Sequence, residues 1–130
     1  MREHILFNMR DHLNAVSEIL AAMSSGYYAD AAKIAKTRLG MDSPAAEACK
    51  APSATSGATR MSQPMNMHQV MAQYMPEGMR KAGLAMHQAA SDFATEAGKA
   101  EKSGDAKPAY AALARVTQQC TACHAAFRVQ

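Results

Sequence analysis

The residues with the clearest chemical role lie near the end of the chain, in the segment "TQQCTACHAAFRVQ". Cys120 and Cys123 are two of only three cysteines, and His124 follows directly. On a helix, positions i, i+3 and i+4 share one face, so these three side chains can reach one ligand together. A C-x-x-C-H spacing is typical of haem attachment through two sulfurs, with the imidazole on the iron. The spacing therefore predicts one covalently bound haem c per chain, with His124 as an iron ligand.

Other chemistries use similar spacings. A thioredoxin-like redox pair needs a βαβ setting, and this chain has little strand signal. A structural zinc site needs four ligands, which only Cys49 and scattered histidines could complete. A chance match on a helix is the third alternative. Cys49 itself is expected to be a free thiol in a loop, with an intermolecular disulfide or a metal contact as alternatives.

Length and composition predict a single domain over residues 1–130. The chain is 48% hydrophobic but only 5% aromatic, and its abundant alanine and methionine favour helices. The formal net charge is +3, and no basic run is present, so nucleic acid is not an expected partner. No stretch approaches 18 consecutive apolar residues, so no membrane span is expected. Covalent haem attachment normally takes place outside the bacterial cytoplasm, which predicts a periplasmic protein whose export signal has been removed.

Apolar residues in the first half of the chain recur at helical spacing. Two helices are expected, the first ending at Ser24-Ser25-Gly26 and the second running from Tyr28 to Leu39, where Gly40 ends it. Residues 41–64 are rich in Ala, Ser, Thr and Pro and are typical of a long connection. The predicted buried seam of the first helix steps by three and four residues; it consists of Leu6, Met9, Leu13, Val16, Leu20 and Met23.

The second half of the chain predicts a short helix that begins near Met65 and breaks or kinks at Pro76. The next helix should run to about Ser103, where Gly104 ends it and Asp105 starts the last helix. Together these segments predict an all-α fold. Its expected form is an antiparallel up-down-up-down four-helix bundle, with the covalent haem near the C-terminus.

The second axial ligand of the iron is expected from the first helix. In an antiparallel bundle, a rise of about 1.5 Å per residue brings positions 6–12 level with His124. Met9 is the seam residue in that window with a metal-binding side chain, and Met75 and Met79 on the third helix are rivals. A packing role alone is the alternative for Met9. Arg128, one turn beyond His124, is expected to pair with a haem propionate or cover the imidazole, unless it is simply solvated.

These segments resemble cytochrome c′ and its low-spin, methionine-ligated relatives, the class II c-type cytochromes. The resemblance rests on "CTACHAAFR", with an arginine four residues after the histidine, and on "SGD" opening the last helix. The stretch "YYADAAKIA" is similar to the start of the family's second helix. The resemblance covers residues 1–40 and 76–130, and residues 41–75 depart from it.

The resemblance implies a particular distal ligand. Counting back from Ala29 to the family's distal position on the first helix reaches Met9, where high-spin members carry an apolar residue, often leucine. Methionine there implies a low-spin electron carrier ligated by His124 and Met9. The family's basic residue one turn earlier is Ile5 in this chain, which leaves Arg2 or Arg10 as substitutes for a propionate contact.

A methionine-rich segment, residues 61–79, falls in the part that departs from the family. Thioethers favour Cu(I), so copper binding is a second hypothesis, and a flexible apolar cover over the haem is the simpler interpretation. The methionines are spaced mostly by four and surround His68; they are Met61, Met65, Met67, Met71, Met75 and Met79.

The sequence as a whole predicts a periplasmic haem protein that carries single electrons between redox partner proteins and is not an enzyme. Two alternatives stay open. One is a five-coordinate cytochrome c′-type protein that binds NO or CO, and the other is a copper-binding module that uses residues 61–79. Whether the chain forms a homodimer also stays open.

Overall fold

The computed structural model describes residues 2–50 and 67–127, and every regular element in these ranges is helical. The all-α prediction is confirmed for this part of the chain. None of the described helices has the length and apolarity needed to cross a bilayer. The helices are α1 (Arg2–Ser24), α2 (Tyr28–Ile34) continuing into a π-helical turn (Ala35–Leu39), α3 (Pro44–Glu47), α4 (Met67–Tyr74), α5 (Glu77–Ser103) and α6 (Lys107–Ala126).

Two glycines end long helices as predicted. After α1, Gly26 has φ +76°, and the next residue, Tyr27, donates its N–H to the carbonyl of Ala22 at 2.9 Å. After α5, Gly104 has φ +74° and donates its N–H to the carbonyl of Ala100 at 2.8 Å. Glycine adopts this left-handed conformation without the steric cost of a Cβ, so both positions stop a helix sharply.

The start of α6 and the break before α5 also follow the sequence. Asp105 accepts the N–H of Lys107, the first residue of α6, through Oδ1 at 3.0 Å, and Ala106 between them occupies the N-cap position. Pro76 separates α4 from α5, as expected from its missing N–H. The short third helix was expected to begin near Met65; its described part begins at Met67.

The segment predicted as a connection, residues 41–64, is only partly described. Its first part contains α3, in which Pro44 occupies the first turn and Ala46 is fully buried. Residues 51–66 lie outside the described ranges. The short helix packs against α4, α5 and the π turn, so this part of the connection belongs to the core.

The second helix ends differently from the expectation. Its last turn is π-helical, and the N–H of Gly40 donates to the carbonyl of Ala35 at 2.7 Å. Gly40 is extended (φ −71°, ψ 176°), and a Cβ there would lie 3.0 Å from Ser91 Oγ. The same hydroxyl accepts the N–H of Met41 at 2.9 Å. A close contact with α5 therefore holds this turn, and it directs the carbonyl of Leu39 towards α5.

The main core lies between α1, α2, α5 and α6, and most of its side chains are alanines. Alanine lets helix backbones approach closely, and Phe93 and Ile19 supply the largest fully buried side chains. The predicted seam of α1 is partly wrong, because the buried stripe is Ala15, Ile19 and Met23. Leu13 is 70% exposed on the wall of the crevice described below, so the interior of the protein does not cover it.

Candidate functional site

A crevice of about 860 Å³ lies beside the last turns of α6. Its wall is drawn from residues 5–16 of α1, 45–49 around α3, 71–87 of α4 and α5, and 116–127 of α6, with Leu39 from the π turn. Small-molecule and cofactor sites are typically about 300–1,000 Å³ and mostly apolar, with a few convergent polar groups. This cavity, called the C-terminal crevice below, therefore has the size and character of a cofactor site.

The structure brings four of the five predicted site residues to this crevice. Cys120, Cys123 and His124 line it from α6, and Met9 lines it from α1. Arg128 lies outside the described residues. A set of residues chosen from sequence spacing thus meets at one cavity.

The state of the two α6 thiols separates the competing interpretations of the motif. Both are free and half-buried, and burial raises the pKa of Cys120 and of Cys123. A catalytic redox pair needs a thiol with a lowered pKa, usually in a βαβ fold, and neither condition is met in the described ranges. Among the described residues, no group of three or more His, Cys, Asp or Glu side chains could hold a metal ion, so the zinc alternative has no support there.

Thioethers are abundant in the crevice wall. Met9, Met75 and Met79, the three candidates for the second axial ligand, all line it, together with Met71 and Met86. Met9 is half-buried on α1. The positions of the wall residues are therefore compatible with Met9 as the second iron ligand, and equally with Met75 or Met79.

Cys49 lies in a turn, in agreement with the loop expected there, and it also forms part of the crevice wall. It follows α3, is 7% exposed, and is a free thiol whose pKa burial raises to about 11. A Cβ on Gly83 of α5 would overlap its Sγ, so only glycine allows this approach. The sequence marked Cys49 only as the third cysteine, and no signal in it linked this residue to Gly83.

A pair of neutral histidines also lines the crevice, and the sequence did not single it out. His87 is 1% exposed, and its Nδ1 lies 2.6 Å from the carbonyl of Leu39. Burial lowers the pKa of His87, so the ring is neutral at pH 7. Because a carbonyl can only accept, Nδ1 carries the proton and Nε2 keeps a lone pair.

His12 completes this pair from α1. Its ring centre lies 5.6 Å from that of His87, with the rings nearly perpendicular. Burial, and then the proximity of His87, lower the pKa of His12 to about 4. Its Nε2 is shielded from solvent and has no hydrogen-bond partner in the described parts of the chain.

The residues present fit haem c. The wall is largely apolar, and the exposed surface of Leu13 is the kind that a flat apolar ring would cover. Two sulfurs and an imidazole lie on α6, and thioethers lie on α1, α4 and α5. Arg10 is exposed in the wall and supplies a positive charge for an acidic substituent, and Arg2 is not part of the wall.

Comparisons of the chain with protein-family models, with curated proteins and with solved structures gave no match.

Proposed function

We propose that this protein is a class II c-type cytochrome, related to the low-spin branch of cytochrome c′, that carries single electrons. One observation carries the proposal. Cys120, Cys123 and His124, spaced for haem attachment, share a cofactor-sized crevice with Met9 of another helix. The high pKa of the thiols and the helical context weigh against a redox pair, as described above.

In this proposal each residue has a distinct role. Cys120 and Cys123 would hold haem c covalently through their sulfurs, and His124 would bind the iron from the same helix face. Met9 would supply a second ligand of the iron from α1. When bound, the haem supplies a one-electron Fe(III)/Fe(II) couple, whose potential a thioether ligand raises.

Other residues of the chain define the surroundings of the haem. The apolar wall, including Leu13, excludes water from the iron, and Arg10 offers a charge partner for a propionate. Arg128 is proposed for the same task. The hydrogen bond from His87 to Leu39 keeps one wall of the crevice in place.

The proposed architecture is an antiparallel up-down-up-down bundle of α1, α2 with its π turn, α5 and α6. The packing of α5 against α6 and α2, and of α1 against α2, supports it. The protein makes no covalent change to a substrate and is therefore not an enzyme. Its partners are redox proteins, and its compartment is the periplasm, because that is where haem c is normally attached.

The competing haem function is binding of NO or CO at a five-coordinate iron. This alternative applies if Met9, Met75 and Met79 only pack against the haem. The optical spectrum of the reduced, haem-loaded protein with and without CO separates the two. We expect a low-spin six-coordinate spectrum that CO leaves unchanged; a high-spin spectrum that CO shifts at once would favour gas binding.

A further inference from the structure

We infer that the contact between α1 and α4 is a Cu(I) site formed by His4, His68 and Met71. His4 lies in the first turn of α1, and His68 lies in the first turn of α4. Neither histidine lines the C-terminal crevice, whereas Met71 contributes to its wall, so the site adjoins the crevice without using a proposed haem ligand. It gives Met71, one residue of the methionine-rich segment, a function beyond lining the crevice.

Two buried ring nitrogens without partners are the first observation. The rings of His4 and His68 lie edge to face at an interplanar angle of 65°. His4 Nε2 and His68 Nδ1 are both shielded from solvent, and neither has a hydrogen-bond partner in the described ranges. Buried polar atoms in native proteins almost always have a partner, so two such atoms on facing rings indicate a missing one.

The separation of the rings suits an ion between them. A metal–imidazole bond is about 2.0–2.1 Å, and the ring centre lies roughly 1 Å further from the ion, so two rings on one ion have centres about 5–6 Å apart. The ring centres of His4 and His68 are 5.4 Å apart. A hydrogen bond between the two rings does not explain this arrangement, because neither His4 Nε2 nor His68 Nδ1 has a hydrogen-bond partner among the described residues.

A thioether lies at the same contact between the helices. Met71, one turn after His68, is 5% exposed, and its Sδ lies 3.9 Å from the side-chain amide Nδ2 of Asn8. Asn8 is one turn after His4 on α1. The Asn8–Met71 contact therefore lies one helical turn beyond the histidine pair along both α1 and α4. The amide donates to one sulfur lone pair, which orients the side chain and leaves the second lone pair for a metal.

The donor set selects the ion. Imidazole binds Zn, Cu, Fe and Ni, whereas thioethers select Cu(I), so copper is the metal that suits both. Zinc requires additional thiolate, imidazole or carboxylate ligands, and no group of three such side chains exists in the described parts of the chain. A monovalent ion with neutral ligands also adds only one positive charge to a buried place.

The test is a competition between the haem-loaded protein and a coloured Cu(I) chelator under anaerobic, reducing conditions. A Cys49→Ala background removes the thiol that haem attachment would leave free. Removing an outer-shell partner of a metal ligand already costs about 10–100-fold in affinity, so loss of a ligand should cost at least as much. We expect one Cu(I) per chain, bound more than about tenfold more weakly after His4→Gln or His68→Gln.

His12→Gln is the matched control, because it removes the other α1 histidine that faces a second ring, and it should leave Cu(I) affinity unchanged. X-ray absorption of the Cu(I)-loaded parent protein should show imidazole nitrogens and one sulfur, with the sulfur lost in Met71→Leu. This second measurement decides the matter even if a histidine variant folds poorly.

Equal Cu(I) affinity in the parent and both histidine variants would overturn the inference, as would a copper shell without imidazole, or displacement of Cu(I) by equimolar Zn²⁺. The haem spectra of His4→Gln and His68→Gln are recorded in the same samples and should not change, because neither histidine lines the crevice. Failure of the copper site is therefore distinguishable from failure of the proposed electron-transfer function.

Discussion

Acid should destabilise this protein through His12, whose buried side chain resists protonation in the folded state. Burial lowers the pKa of His12 from 6.5 to about 4, so the native ring stays neutral at a pH where the unfolded ring is protonated. The unfolded state then binds more protons, and the free energy of unfolding falls as the pH drops below about 6.5. Above that pH neither state is protonated, and His12 has no effect.

The expected size follows from the pKa difference between the two states. Each unit of pKa difference is worth about 1.4 kcal/mol. Between pH 7 and pH 5 the shift of His12 corresponds to a loss of about 2 kcal/mol, approaching about 3 kcal/mol near pH 4. The lowered pKa of His87 adds a loss in the same direction. A haem in the crevice would remove further water from both rings, which strengthens the effect.

The assay is urea unfolding of the haem-loaded protein at pH 7 and pH 5. His12→Gln keeps a polar side chain but does not titrate, so it should lose about 2 kcal/mol less than the parent protein over this interval. Leu13→Gln changes the same crevice wall without removing a titrating group, and its pH dependence should parallel that of the parent. The reasoning is refuted if His12→Gln and the parent lose the same stability.

Further substitutions test the crevice directly. Met9→Ala should convert the haem to a high-spin or water-ligated form that binds CO and has a lower potential, whereas Met79→Ala should leave the spectrum low-spin; the reverse outcome would move the ligand to α5. Gly83→Ala should destabilise the protein by about 1–3 kcal/mol because its Cβ overlaps Cys49 Sγ. In a Cys49→Ala background the same change should be neutral or stabilising by up to about 1 kcal/mol, because alanine is the better helix former. Additive unfolding free energies in this double-mutant cycle would contradict the overlap.

Features of the fold that depend on local signals could be predicted from the sequence. Gly26 and Gly104 stop their helices because a left-handed residue is needed there, and Pro76 separates α4 from α5 because it lacks an N–H. The spacing of Cys120, Cys123 and His124 was also sufficient to predict that these side chains share one face of a helix. These features depend on a few adjacent residues, and the structure agrees with them.

The features that the sequence did not reveal depend on distant contacts. The π turn exists because Gly40 and its neighbour pack against Ser91 of α5, fifty residues further along the chain. The buried stripe of α1 is shifted from the predicted seam because Ala15 fits the close helix contacts, while Leu13 lies on the crevice wall. Periodicity alone could not separate a core-facing residue from one that faces a cavity.

The histidines illustrate the same limit at the site. Nothing in the neighbouring residues marks His87 as the partner of His12, because the pairing requires both α1 and α5 to be in place. His68 stood out in sequence only as an exception among methionines. The contact between the rings of His68 and His4 depends on how α4 packs against α1. The residues that precede α4 lie outside the described ranges.

The central claim is that haem is attached covalently to Cys120 and Cys123, and acid–acetone extraction of the purified protein tests it most directly. The colour should stay with the precipitated polypeptide, whose mass should exceed that of the bare chain by one haem. In the Cys120→Ser, Cys123→Ser double variant any bound haem should pass into the acetone. Free extraction of haem from the parent protein, or a parent mass equal to that of the bare chain, would contradict the account.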